Sequence, residues 1–326
     1  MPILCRVTRG DLTESIHVAF AVAVDENGEV FYSTGDPQYL TCARSTLKPF
    51  QAAASVISGA IDSFNFNSKE LAMMCSSHMG EKVHTDTVNS MIEKIGLSSY
   101  DLKCGTHIPY DKDIAQNLLI NKTAPNEIHN NCSGKHAGML ALTKYLKYEL
   151  SDYSKQDHPT QKYILKYVSN LLGQNNIPVE VDGCSAATPF LTLEALAILF
   201  QKLGSGQREE LNRVYSAMTE HPVLIGGSKN FDTHFTKIMS GDGLTKIGGE
   251  SVRGILIKTK DKGCVGLAIK ILDGSSRALP VATIKLLEHL KLLSKDQIKR
   301  LSEYKNDQIK NHNGDKVGHI EAHLEF

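Results

Sequence analysis

Residues 16–32 read Ile-His-Val-Ala-Phe-Ala-Val-Ala-Val-Asp-Glu-Asn-Gly-Glu-Val-Phe-Tyr. The run from Ile16 to Val24 is rich in Val, Ile and Ala, Asp25-Glu26-Asn27-Gly28 supplies turn chemistry, and Val30-Phe31-Tyr32 resumes the apolar pattern, so the stretch predicts a β-hairpin. A second hairpin is predicted late in the chain, where the apolar runs Gly254 to Ile257 and Cys264 to Ile271 flank the polar stretch Lys258 to Gly263. Between them the periodicity is helical: Val88, Met91, Ile92 and Ile95 repeat at helical spacing in His84 to Ile95 before a stop at Gly96. Similar patterns run through Phe50 to Ile57, Ala137 to Tyr145, Leu191 to Phe200, Glu209 to Met218 and Ala282 to Leu293. Terminal strands that did not meet would leave unpaired edges. The expected fold is therefore α+β, a single domain over residues 1–326, with an antiparallel sheet from about 1–40 and 245–275 and a helical region between. The polar tail from Ser294 onward is expected to be loosely held.

Composition narrows the function. The chain has 326 residues, 41% of them hydrophobic, enough to bury a sizeable core in one large domain or two intimate subdomains. Thirty-six basic residues balance thirty-six acidic ones, which removes the electrostatic footprint of a dedicated nucleic-acid or membrane-surface binder and favours a small-molecule substrate. There is no apolar run of the roughly 20 residues that span a bilayer, and Met1 to Gly10 lacks the pattern of a secretory signal, so a cytoplasmic location is expected. The seven cysteines are widely spaced with no Cys-x-x-Cys pair, which reads as free thiols, two of them available to a metal, rather than a disulfide framework.

Four segments carry side chains suited to chemistry. In Arg44-Ser45-Thr46-Leu47-Lys48-Pro49 a serine precedes a lysine by three residues at the start of a helical pattern. Pro49 has no N–H to donate, so it belongs to the first turn, which places Ser45 at the helix mouth among free backbone N–H groups. An amine removed from water favours its neutral form, so Lys48 could take the Ser45 proton during attack on a carbonyl. The plainer reading of the motif on its own is that Ser45 caps the helix with Lys48 solvated. The second segment, Met74 to Glu81, breaks two helical patterns and offers Ser77 as a second hydroxyl and His78 as a proton carrier or orienting group, or else a plain interhelical turn. The third, Lys246-Ile247-Gly248-Gly249-Glu250, joins a charge-stabilising lysine to paired glycines that admit a ligand, or is a turn before a strand. The fourth, Asn131-Cys132-Ser133-Gly134-Lys135-His136, together with Asp182-Gly183-Cys184, could bring two thiols and an amine to one ion, or hold two structural thiols.

Taken together and in this order, these segments resemble the L-asparaginase II family of the rhizobial inducible type, whose fold is similar to that of serine β-lactamases and glutaminases. The resemblance extends from Arg9-Gly10 and Gly35-Asp36-Pro37 through the four segments to Lys246 and Glu250. It implies Ser45 as nucleophile with Lys48 as its base, Ser77 as a second active-site serine, Lys246 as a second lysine, one zinc ion per chain on Cys132, Lys135 and Cys184, and a homodimer. Asp182 and Glu250 become candidates for the ammonium group of the substrate L-asparagine, and Arg44, His78 or His136 for its carboxylate or for support. Ile247 stands where the family has threonine and Ser251 where glycine is expected, which loosens the substrate assignment. Two rivals remain: a glutaminase or other serine amidohydrolase of the same fold, and a non-catalytic zinc-thiolate protein.

Overall fold

The computed structural model describes residues 2–324. They form two compact units, one made of the chain up to Thr41, Leu191–Ser205 and the chain from Ile238 on, the other of Cys42–Phe190 and Gly206–Lys237. The first is built on an antiparallel sheet and the second is mainly helical, so the α+β class and the origin of the sheet in both chain ends hold.

Eight strands make the sheet: β1 (Ile3–Arg9), β2 (Leu12–Val24), β3 (Val30–Thr34), β4 (Gly243–Gly248), β5 (Val252–Thr259), β6 (Gly263–Ile271), β7 (Asp307–Lys310) and β8 (Lys316–Leu324). Their spatial order is β7-β8-β1-β2-β6-β5-β4, with β3 also paired to β2. Both predicted hairpins are present, with Ala21 opposite Thr34 in one and Gly254 opposite Ala268 in the other. The two ends of the chain meet directly, because β1 lies between β2 and β8 with Cys5 opposite both His17 and Ala322. Along β1 the buried Ile3, Cys5 and Val7 alternate with the half-buried Leu4 and Arg6, the period of a strand with one face in a core.

The tail is a correction to the reading from sequence. Ser294 and Gln297 form a reciprocal capping box that opens a short helix, and β7 and β8 follow as full members of the sheet. Among the β8 residues only Gly318 and Ile320 are buried, so hydrophobic patterning could not reveal the strand. It is held by backbone pairing to β1 and by Arg6, whose Nη2 lies 2.5 Å from Glu321 Oε1. Two helix boundaries also move. Ala187–Thr192 is a strand that ends where the Thr192 side chain caps the Leu193–Gly204 helix, and the Leu279–His289 helix stops before Leu292 and Leu293, which are buried beyond its end.

The Leu193–Gly204 helix packs on β2, β5 and β6. The approach is close enough that a Cβ on Gly266 would lie 2.1 Å from the Ala197 carbonyl oxygen and one on Gly254 1.8 Å from the Phe200 ring. In the helical unit the Lys48–Ser58 helix is central: it packs against the Ser133–Tyr145, Pro159–Leu172 and Glu209–Glu220 helices and is buried from Lys48 to Val56. Among the described residues no helix is long and apolar enough to cross a membrane.

Replacing Gly266 with valine forces side-chain atoms into the backbone of the Leu193–Gly204 helix. The expected cost is about 1–3 kcal/mol or more, read as a lower urea midpoint with an unchanged slope.

Candidate active site

Most of the candidate residues lie in the helical unit. The chain enters it through a 3₁₀ turn, Arg44–Leu47, that runs directly into the Lys48–Ser58 helix with Pro49 in the first turn, as the missing proline N–H requires. Ala43 N–H donates to the Pro189 carbonyl at 2.9 Å and Arg44 N–H to Thr188 Oγ1 at 3.2 Å, which fixes the start of the turn. Arg44 is left-handed at φ 49°, an uncommon conformation for a residue with a side chain. Its guanidinium forms an ion pair with Asp182, Nε to Oδ1 2.5 Å.

Ser45 is half-buried in this turn, and Lys48, the first residue of the helix, is completely buried. The Lys48 amine donates to the Ser76 carbonyl, to Ser77 Oγ at 3.1 Å and to the Asn131 carbonyl at 3.3 Å. A solvated Lys48 is thereby excluded. The structure brings Lys48 and Ser77 into direct contact, while among the described residues the Ser45 hydroxyl makes no hydrogen bond.

Ser76 and Ser77 follow the Ser68–Met74 helix, and Ser77 N–H donates to the Ile225 carbonyl at 2.8 Å. The Ser133–Tyr145 helix crosses this point at very short range. A Cβ on Gly134 would sit 2.3 Å from the Met73 carbonyl oxygen, and one on Gly138 2.4 Å from Met74 Cε. Glycines one turn apart on the same helix face therefore let the Asn131–Cys132 entry reach Lys48.

His78 is fully buried. Its Nδ1 accepts from Gly80 N–H at 3.1 Å, so Nε2 carries the proton and donates to Ser133 Oγ at 2.9 Å. Burial, and then the charges of His84 and Lys48, hold its pKa well below the ordinary histidine value, and the ring is a neutral brace between two segments. His136 is likewise buried and contacts Tyr153 Oη through Nδ1 at 2.7 Å; burial, then the neighbouring Lys135, lowers its pKa from 6.5 to about 3.

Cys132, Lys135, Asp182 and Cys184 converge. Lys135 Nζ donates to Cys184 Sγ at 2.8 Å. The neighbouring Cys132 thiol, against the opposing effect of burial, lowers Cys184 from 9.0 to about 5 with help from Lys135. Cys132 itself is pushed up to about 12 by the neighbouring Cys184 and by burial. Burial opposes the Lys135 charge, but Cys184, Cys132 and Asp182 outweigh it and raise its pKa. The resting arrangement is an ammonium–thiolate pair with one neutral thiol. Among the described residues no cluster of three or more His, Cys, Asp or Glu side chains is gathered for a metal, and the convergent donor set is two sulfurs and an amine.

Lys246 and Glu250 belong to the sheet unit. Lys246 is buried on β4 and donates to the Ile247 carbonyl at 2.9 Å; Glu250 is exposed in the short turn between β4 and β5. Reading the sequence missed Tyr153, an isolated tyrosine in a polar stretch that carries no signal.

A family model described as L-asparaginase II matches residues 5–322. No curated protein matches the chain. Among solved structures it is similar to a β-lactamase from Burkholderia ambifaria, at 12% identity and a TM-score of 0.42 over 85% of this chain and 96% of that one. It is also similar to the TLA-1 extended-spectrum β-lactamase, at 11% identity and a TM-score of 0.41 over 88% and 92%.

The neutral His136 has a consequence for stability. The unfolded chain takes up a proton near 6.5 and the folded site only near 3, so the stabilisation is complete above pH 6.5 and falls as the pH drops between those values. His136→Gln should flatten that part of the stability curve, measured by urea denaturation from pH 7 to pH 4.

Proposed function

The chain belongs to the L-asparaginase II family, an enzyme family that hydrolyses amides, and from that premise we propose that it converts L-asparagine to aspartate and ammonia through a serine acyl-enzyme. The observation that carries this reading is the Lys48 amine, buried and hydrogen-bonded to Ser77 Oγ, at the start of the helix whose entry turn holds Ser45.

In this reading Ser45 Oγ attacks the side-chain amide carbon. A neutral lysine has two N–H donors and one lone pair, so Lys48 gives up one of its three contacts when that lone pair accepts the Ser45 proton. In the same reading Ser77, whose Oγ accepts from Lys48, passes the proton to the departing ammonia. Water then attacks the ester, returns its proton along the same path and releases aspartate. Backbone N–H groups of the entry turn would hold the oxyanion. The resemblance supplies the roles of the remaining residues: Lys246 as a second cation, Asp182 and Glu250 for the substrate's ammonium, and Arg44 for its carboxylate. Asp182 is ion-paired to Arg44 in the resting structure, so the two are assigned as a unit. His78 and His136 are assigned as braces, since each is neutral and fully buried.

Cys132, Lys135 and Cys184 fit a zinc ion, because two convergent sulfurs and an amine match its preference for sulfur and nitrogen donors once Cys132 and Lys135 have lost their protons. When bound, zinc would supply a Lewis acid able to orient a substrate oxygen. The proposal extends to a homodimer and a cytoplasmic enzyme, both carried by the resemblance and the composition.

Ser45→Ala should cut ammonia release from asparagine on the order of a thousandfold or more while leaving the thermal midpoint within a few degrees. Assays of asparagine and glutamine side by side should favour asparagine. Near-wild-type activity in Ser45→Ala would end the nucleophile assignment, and faster turnover of glutamine would make the enzyme a glutaminase.

A further inference from the structure

Lys48 takes its acceptors from two segments, the Ser76–Ser77 turn and the entry to the Ser133–Tyr145 helix, where the Asn131 carbonyl lies 3.3 Å from the amine. Residues 104–111, in the same helical unit, are tied to both. On the side of the entry, Asn130 Nδ2 donates to the Cys104 carbonyl at 2.9 Å and to the Gly105 carbonyl at 3.1 Å, and Asn131 N–H donates to His107 Nε2 at 2.9 Å. On the side of the turn, just past Ser77, Asp111 N–H donates to the Met79 carbonyl at 3.2 Å, and a Cβ on Gly80 would lie 2.9 Å from Pro109 Cβ. The half-buried His107 is committed at both ring nitrogens. Its Nδ1 lies 2.7 Å from the Ile108 carbonyl, an oxygen that can only accept, so Nδ1 carries the proton and the Nε2 lone pair receives the Asn131 N–H. The Tyr110 ring packs beside the imidazole, 4.8 Å away between centroids.

A neutral lysine has two N–H groups and gains a third, with its charge, when it accepts a proton. The Asn131 contact, at 3.3 Å, is longer than the one to Ser77 Oγ at 3.1 Å and lies beyond the usual N–H···O range, so it is the one that a neutral Lys48 gives up most readily. When the charge returns, the dipole of a carbonyl already fixed beside the amine stabilises it without reorganisation. We propose that His107 is a positioning residue for the hydrolysis, whose Nε2 lone pair holds Asn131 so that the Asn131 carbonyl meets the positive charge developing on Lys48. The proposal rests on the reading that Lys48 is the base for Ser45. An interaction with a charge that appears only as the proton moves lowers the barrier without tightening substrate binding, so its loss falls on kcat.

The test measures kcat and KM for asparagine in the full-length enzyme and its variants, with a thermal melt of each to report folding separately. His107→Ala should lower kcat roughly ten- to hundredfold, the scale of a group misplaced by about 1 Å, and leave KM within about threefold. His107→Gln, which offers an amide oxygen to the Asn131 N–H, should recover most of that loss. His107→Met, of similar length but with only a weakly accepting sulfur, should not. Lys48→Met, measured beside them, should abolish turnover. If the Gln and Met variants at position 107 have equal kcat, or if His107→Ala keeps the wild-type kcat or loses activity through KM, the lone pair has no part in the chemical step and the positioning role is overturned while Lys48 keeps its own. If Lys48→Met retains near-wild-type kcat, the premise falls and the proposal with it.

Discussion

Lys48 places a primary amine where no water reaches it and satisfies it with three oxygens from outside its own helix, those of Ser76, Ser77 and Asn131. A buried amine without such partners would cost several kcal/mol, so the post-helix turn at Ser76–Ser77 and the entry to the Ser133–Tyr145 helix are obliged to meet at this point. Much else in the helical unit follows from that requirement. Gly134 and Gly138 let the second helix come close enough, the neutral His78 braces Ser133 from the other segment, and the Arg44–Leu47 turn feeds Ser45 into the same neighbourhood.

Beside this amine lies a second one handled in the opposite way. Lys135 is buried against a sulfur rather than against carbonyls, and the pair settles as ammonium and thiolate, with Cys132 protonated. Two buried lysines in one unit thus meet two electrostatic settings, one of neutral acceptors and one with an anion. That separation of roles is what a site needs if one amine is to exchange a proton and the other is to belong to a charged or metal-bound centre. Asp182 joins the second setting to the entry turn through its ion pair with Arg44, the residue before Ser45.

The class of fold was legible because strands and helices announce themselves by period, and both hairpins fall where Asp25 to Gly28 and Lys258 to Gly263 interrupt apolar runs. The last strand was not, because a half-exposed strand whose inward positions are Gly318 and Ile320 has no apolar alternation to read. Periodicity also overran the Leu279–His289 helix, since Leu292 and Leu293 are buried for tertiary reasons after the helix has ended. At the site, residue types and spacing left Ser45, Lys48, Ser77 and the thiols as candidates beside plainer readings, and only the ordered set of segments, through its resemblance, gave them roles. Which hydroxyl the Lys48 amine touches, and that His78 uses both ring nitrogens on neighbours, depend on how helices cross and have no counterpart in local sequence.

The central claim is that Ser45 becomes acylated by the substrate. Rapid-quench mass spectrometry of the full-length enzyme mixed with asparagine tests it directly. The account predicts a transient adduct of one aspartyl group whose mapped peptide carries it on Ser45. An adduct on Ser77 instead, or a burst of ammonia with no covalent adduct on any serine, would contradict it.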